Sequence, residues 1–169
     1  AIKLNKEEMK KLIIGAFLHD VGKIGISDNI LLKNDKLDED EFKTMQEHVV
    51  KGIEIIKGND WLESSKDVIL YHHEKYDGSG YPNKIIGDDI PMIARIFSIT
   101  DVFDALTSKR PYKEPFSYEK TMKILEDGRA IHFDPDMLDE FFKISEELYL
   151  NIKSKSKNLL ENELDTLIK

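Results

Sequence analysis

The sequence predicts an all-α domain with a metal site held between its helices. Apolar residues recur at helical spacing along most of the chain, and no run alternates as a half-buried strand would. Asn, Asp and Ser stand at the heads of those periodic segments, where helix caps belong. Four of the five histidines are gathered at His19, His48 and the pair His72-His73. The 169 residues are enough for one domain with a core, and 40% apolar with 34% charged residues is ordinary for a globular chain.

Asn5 with Glu8 gives a capping box, followed at helical spacing by Leu12, Ile13, Ala16, Phe17 and Asp20. His19 and Lys23, four apart, are predicted on one face of that helix. Gly22 and Gly25 loosen the chain into a predicted loop over residues 26–37. Asp38 with Glu41 repeats the capping pattern and opens a second helix, whose stripe is Phe42, Met45, Val49, Ile53 and Ile56, with His48 on its edge. A third helix is predicted over residues 61–75, carrying Val68, Ile69 and His72 and stopped by Asp77-Gly78-Ser79-Gly80.

Pro91 suits the first turn of a fourth helix, with Asp88 or Asp89 as its cap. The run MIARIFSITDVFDAL is apolar enough to make this helix central, so its carboxylates Asp101 and Asp104 stand out. Ser117 opens a fifth helix through Glu126, and Asp134-Pro135 opens a sixth. Residues 1–144 are read as the domain that holds the metal site. Residues 145–169, with Leu148, Ile152, Leu159, Leu160, Leu164, Leu167 and Ile168, are read as a helical extension that packs on the domain or on a partner helix.

A net charge of −8, from 25 basic and 33 acidic residues, argues against a general DNA or RNA surface, so an anionic substrate needs local cations. The absence of cysteine removes disulfides and thiolate chemistry and fits a reducing compartment. Apolar stretches such as residues 12–18 are too short to span a bilayer, and the start shows no secretory pattern.

Each imidazole or carboxylate fills only one or two coordination positions. His19, Asp20, His48, His72, His73 and Asp101, spread over four segments, therefore suit a site of more than one ion. Any one of these histidines alone reads as a core or surface residue. The combination is different, because a carboxylate inside an apolar helix is costly to bury without a compensating charge. Adjacent helical residues point about 100° apart, so each neighbouring pair is expected to address two ions, or one ion with the second residue behind. Nitrogen and oxygen donors without thiolate admit iron, manganese or zinc. Phosphodiester cleavage suits such a site, because bound cations activate water and offset phosphoryl charge. Lys23 is placed to reach a phosphate oxygen, and Lys109-Arg110-Pro111-Tyr112-Lys113 is a second anion site. His132 is accounted for by the cap region around it and is left out of the metal set.

HDVGKIG at 19–25, His48 in EHVVKG, YHHEKYDGSGYP at 71–82, ARIFSITDVFDALTSKRPYK at 94–113 and HFDP at 132–135 together resemble the HD-GYP family. That family is a branch of the HD-domain metal-dependent phosphohydrolases and hydrolyses cyclic di-GMP. The resemblance runs from about residue 12 to residue 142 and implies an HD-domain-like helical bundle. It implies metal ligands at His19, Asp20, His48, His72, His73 and Asp101, holding two or three divalent ions, Fe or Mn, with Zn admitted. Catalytic roles are implied for Asp20 and Lys23, and substrate contacts for Lys23, Tyr81, Asp104, Arg110 and Lys113. The implied products are linear pGpG and then GMP.

Gly80-Tyr81-Pro82 is the motif that names the family. It is implied to shape the nucleotide pocket and to contact diguanylate cyclase domains. A cytoplasmic location and a dimer are further expectations. Family members carry another helix ahead of the His-Asp pair, with one more histidine and, in trinuclear members, a glutamate, and this sequence is expected to lack that helix. The alternatives are therefore a module that binds cyclic di-GMP or a protein partner without turnover, and a phosphohydrolase of another nucleotide.

Overall fold

The computed structural model describes residues 3–109 and 114–154. Arg110 and Lys113 lie outside the described residues, as do Leu159, Leu160, Leu164, Leu167 and Ile168. No strand occurs among the described residues, as the periodicity predicts, but they form nine α-helices where the sequence predicts six.

Helix α1 (Lys6–Leu18) starts on the predicted capping box. Asn5 Oδ1 accepts from the Glu8 amide at 2.9 Å, and Glu8 Oε2 accepts from the Asn5 amide at 2.8 Å. The helix stops at Leu18, so His19 and Lys23 do not share a helical face. The chain turns at His19-Asp20 and continues as a 3-10 turn, Val21–Gly25. The predicted loop contains one short helix, α2 (Asp28–Leu31).

The second predicted helix is two, α3 (Glu39–Gln46) and α4 (His48–Ile56), broken at Glu47. The break puts His48 at the first position of α4, where its ring bonds to the Met45 carbonyl at 2.7 Å. The third is also split, into α5 (Asp60–Glu63) and α6 (Lys66–Tyr71), and it ends before the paired histidines. Ser64 and Ser65 between them donate their hydroxyls to the Trp61 and Leu62 carbonyls, each at 2.7 Å, which competes with a continuous backbone ladder.

Helix α7 (Met92–Thr107) is central, burying Ile93, Ala94, Phe97, Ser98, Ile99 and Phe103. Pro91 itself is the cap position. Asp88 and Asp89 do not cap it; they lie in a 3-10 turn, Gly87–Asp89, and Asp88 pairs with Arg95 instead. Helix α8 (Tyr118–Asp127) is capped by Ser117 as predicted. Helix α9 (Pro135–Ser154) opens on Asp134, whose Oδ1 accepts from the Asp136 and Met137 amides at 2.9 and 3.2 Å. It runs unbroken across position 144, and buried Ser145 bonds the Tyr118 hydroxyl at 2.8 Å.

Two apolar clusters share α7. Ile99 and Phe103 pack against Leu125 of α8, Phe133, and Leu138 and Phe141 of α9. On the other side, Ile93 and Phe97 meet Val68 of α6, with Leu12 and Ala16 of α1 behind. The second cluster forms the floor of the histidine site. The Phe97 ring lies 4.9 Å from that of His19 and 6.2 Å from that of His72. No helix among the described residues is long and apolar enough to cross a membrane.

Candidate metal centre

The ends of three helices converge above Phe97. Asp20 comes from the turn after α1, His48 from the start of α4, and His72 and His73 from the turn after α6. One donor atom from each of these four residues lies within 4.8 Å of the other three. His72 and His73 can converge because they have left the helix. Their rings lie 4.0 Å apart at 42°, so the helical separation expected for neighbours does not apply.

His19 and Asp101 flank this group of four. His19 Nε2 is 3.3 Å from Asp20 Oδ2, and its ring packs edge-on to His72 at 5.1 Å. Asp101 is half-buried on α7. Burial acts to lower the His19 pKa, but the bonds to Asp20 and the Ala16 carbonyl, with the charges of Asp20 and then Asp101, raise it.

The approach of Asp20 to His48 depends on a missing side chain. A Cβ on Gly22 would lie 1.8 Å from the His48 carbonyl oxygen and 2.4 Å from the Gly52 amide nitrogen. Only a glycine lets the 3-10 turn press this closely on α4.

Each of three rings has its tautomer set by the backbone. A carbonyl can only accept, so Nδ1 is the donor in the bonds from His19 to Ala16 at 2.7 Å and from His48 to Met45 at 2.7 Å. The same holds for His72, which reaches the Ile69 and Val68 carbonyls at 3.0 and 3.1 Å. On His48 and His72 Nε2 is then the free donor atom, the arrangement that orients histidines toward a metal, whereas His19 Nε2 is engaged by the Asp20 carboxylate. His48 Nε2 and His72 Nε2 face each other at 3.5 Å, with Asp20 Oδ1 3.6 Å from the former. Lone pairs and a carboxylate gathered this way call for a cation or a proton between them.

Burial disfavours the proton. It pushes His72 down to about 4, with the charges of His19 and His48 adding to the effect. His73 is driven lower still by burial, then by His72 and His48, and His48 is also lowered by burial. For Asp20 burial acts upward, but the bonds to His19 and Lys23 outweigh it and hold the carboxyl well below the usual range. Three neutral imidazoles and a carboxylate, all nitrogen and oxygen donors, fit a divalent ion.

Lys23 Nζ lies 2.7 Å from Asp20 Oδ2, with its side chain 36% exposed. Tyr81 stacks on His73 at 4.7 Å and 27°, and burial raises its pKa above the usual phenol range. Asp104 is exposed and accepts from the Ser108 hydroxyl at 2.7 Å. His132 stacks on Phe133 at 4.3 Å and is not part of the donor group.

Two nearby residues were missed by sequence reasoning. Phe42, 48% exposed, meets the Tyr81 ring edge-on at 6.2 Å. It reads as core in the heptad-like stripe, and nothing local separates the two roles. Glu74, directly after the paired histidines, is buried with its carboxylate in the Gly80-Tyr81-Pro82 loop. Its signal is an acid in a stretch that turns out to be inside.

A family profile described as the HD domain matches residues 1–137. A probable cyclic di-GMP phosphodiesterase of Vibrio cholerae is 45% identical over 146 residues, covering 82% of this chain and 33% of the relative. The cyclic di-GMP phosphodiesterase response regulator RpfG of Xanthomonas campestris pv. campestris is 43% identical, covering 83% and 38%. A 3'3'-cGAMP-specific phosphodiesterase 2 of Vibrio cholerae is 45% identical, covering 78% and 27%. A crystal structure of a cyclic GMP-AMP specific phosphodiesterase of Vibrio cholerae matches in fold, with a TM-score of 0.72 at 16% identity, over 95% of this chain and 44% of that one. The chain belongs to the HD-domain family. Its ordered motifs and these relatives make it an HD-GYP domain. The chain spans about a third of the length of the curated relatives it matches.

Proposed function

We propose that this domain is a metal-dependent phosphodiesterase that hydrolyses cyclic di-GMP to linear pGpG and onward to GMP. The observation that carries the reading is the meeting of Asp20, His48, His72 and His73, with three neighbouring Nδ1 atoms committed to carbonyls. Relatives at 45% and 43% identity bear the name of that activity, which supports the substrate. In this reading His19, Asp20, His48, His72, His73 and Asp101 hold two or three divalent ions, iron or manganese, with zinc admitted. When bound, such ions supply a nucleophile from water at neutral pH and offset charge on the phosphoryl group.

The chain's own residues bind and orient. Asp20 stays ionised and keeps Lys23 beside the site, where the ammonium takes a phosphate oxygen as a point charge. Tyr81 packs on His73 and Phe97 on His19, which places apolar surface against the histidines. Asp104, Arg110 and Lys113 add polar and cationic contacts to the substrate. A cytoplasmic location follows from an intracellular nucleotide. The Gly80-Tyr81-Pro82 loop is the proposed contact for diguanylate cyclase domains, and a dimer is the proposed assembly.

A second reading is hydrolysis of 3'3'-cGAMP, favoured by the relative of that name at 45% identity. The two cyclic dinucleotides differ at one base, whereas the donor cluster addresses phosphate. The test is to incubate the full-length, metal-loaded protein anaerobically with each dinucleotide and resolve the products by chromatography. Faster formation of pGpG supports the first reading, and faster cleavage of 3'3'-cGAMP selects the second. Cleavage of neither by metal-bound protein contradicts both.

A further inference from the structure

We propose that Glu74 is a positioning residue that clamps residues 80–84 and, through Tyr81, sets the orientation of the His73 ring, an inference that rests on the metal-centre reading above. Glu74 is 2% exposed. Its Oε1 accepts from the Asn83 amide at 2.6 Å and the Lys84 amide at 3.1 Å, while Oε2 has no hydrogen-bond partner among the described residues. A half-satisfied buried carboxylate is a poor choice for packing alone. What it supplies is an acceptor for two loop amides.

The loop needs that acceptor. Lys84 has φ 54°, a left-handed conformation unfavourable for a residue with a side chain, and its amide is one of the two held by Glu74. At the other end, a Cβ on Gly80 would fall 2.4 Å from the Lys75 nitrogen and 2.5 Å from the His73 oxygen, so the loop lies directly on the backbone of the histidine pair. The Tyr81 amide donates to the His73 carbonyl at 3.2 Å. Tyr81 is thus fixed between a backbone contact and the Glu74 clamp, with its ring flat on His73. The outer end is tied separately by the Gly87 amide to the Tyr76 carbonyl at 2.9 Å, so loss of Glu74 loosens residues 81–84 and not the whole loop.

His73 is where this matters. The rings of His19, His48 and His72 are each held by a carbonyl, but no ring-nitrogen hydrogen bond to His73 is found among the described residues. Its ring packs on those of His72 at 4.0 Å and His48 at 5.2 Å and stacks on Tyr81 at 4.7 Å, so Tyr81 is the ring neighbour outside the donor group that orients it, and Tyr81 is set by Glu74. Groups that orient metal-binding histidines typically change affinity about 10–100-fold when removed.

The experiment compares Glu74→Ala, Glu74→Gln, Tyr81→Ala and the Glu74→Ala/Tyr81→Ala double variant in the full chain. Two quantities are read: manganese affinity by anaerobic titration, and amide hydrogen exchange at Asn83 and Lys84. Glu74→Ala is expected to speed exchange at both amides and to weaken manganese about tenfold. Glu74→Gln keeps the accepting oxygen and is expected to stay near wild type in both. The double variant is expected to bind no more weakly than Tyr81→Ala, because the two residues act in series. Unchanged exchange and affinity in Glu74→Ala, or penalties that multiply in the double variant, would overturn the proposal. If Glu74→Ala does not fold, loss of amide protection in Glu74→Gln overturns it as well. If wild type binds no divalent ion, the proposed function fails, while exchange at residues 83 and 84 still decides the clamp.

Discussion

Substituting Gly22 by alanine tests whether the close packing of the 3-10 turn on α4 builds the metal centre. The new Cβ would lie 1.8 Å from the His48 oxygen, 2.4 Å from the Gly52 nitrogen and 2.8 Å from the His48 carbonyl carbon, all of them backbone atoms. Ordinary contact begins near 3.4 Å, so the turn and α4 must separate by more than an ångström. Gly22 does not have a positive φ, so alanine suffers from crowding and not from its backbone conformation. Asp20 stands two residues before the clash and His48 is the residue struck, so the 3.6 Å approach of Asp20 Oδ1 to His48 Nε2 is lost. Metal sites tolerate errors of about 0.2 Å in ligand distance. Affinity is expected to fall at least about 10–100-fold, close to 1.4–2.7 kcal/mol, and overpacking adds about 1–3 kcal/mol of lost stability. Gly25→Ala is the control, because its Cβ would meet only the flexible Lys51 side chain, at 2.7 Å from Cδ. Both variants are to be titrated with manganese anaerobically and melted. Wild-type affinity and melting in Gly22→Ala, or equal damage from Gly25→Ala, would refute the reasoning.

Burial pushes His132 down to about 4, with Lys75 adding to the effect and Asp77 opposing it. The neutral folded ring contributes stability above the unfolded pKa of about 6.5, and this is lost as pH falls through about 4, by up to about 3 kcal/mol. His132→Phe keeps the stack on Phe133 and is expected to flatten that loss in urea unfolding at pH 7 and 4.5; an unchanged loss would contradict this. Arg95→Met leaves Asp134, 5% exposed, without its partner and is expected to cost about 3 kcal/mol. Adding Asp134→Asn, which keeps the oxygen that caps α9, should recover part of the cost, and a further drop would argue against a buried-charge penalty. Chelation of metal-loaded protein is expected to lower unfolding free energy by about 2.7 kcal/mol where the ion had been present at 100 times Kd. His48→Ala should remove that difference, and a melt insensitive to chelator would count against a bound ion.

Helix starts were legible because cap chemistry is local. Asn5 with Glu8, Asp38 with Glu41, Ser117, and Asp134 with Pro135 all act within a few residues of the helices they open. The breaks at Glu47 and at Ser64-Ser65 were not legible, because apolar periodicity continues across a one- or two-residue interruption with little change of phase. That limit affected the site directly. His48 and the 72/73 pair were placed on helix faces, whereas they occupy a helix start and a turn, where side chains can converge. The donor types were visible because imidazoles and acids are rare inside apolar runs. Glu74 was not, because its partners at residues 83 and 84 reach it only through a loop folded back on the histidine backbone.

Anomalous diffraction from anaerobically grown, manganese-loaded crystals tests the central claim most directly. The expected result is a manganese peak at bonding distance from Asp20, His48 and at least one of His72 and His73, with Nε2 of His48 facing the ion. Saturating manganese with no peak among these side chains, or a fully occupied ion elsewhere on the chain, would contradict the account.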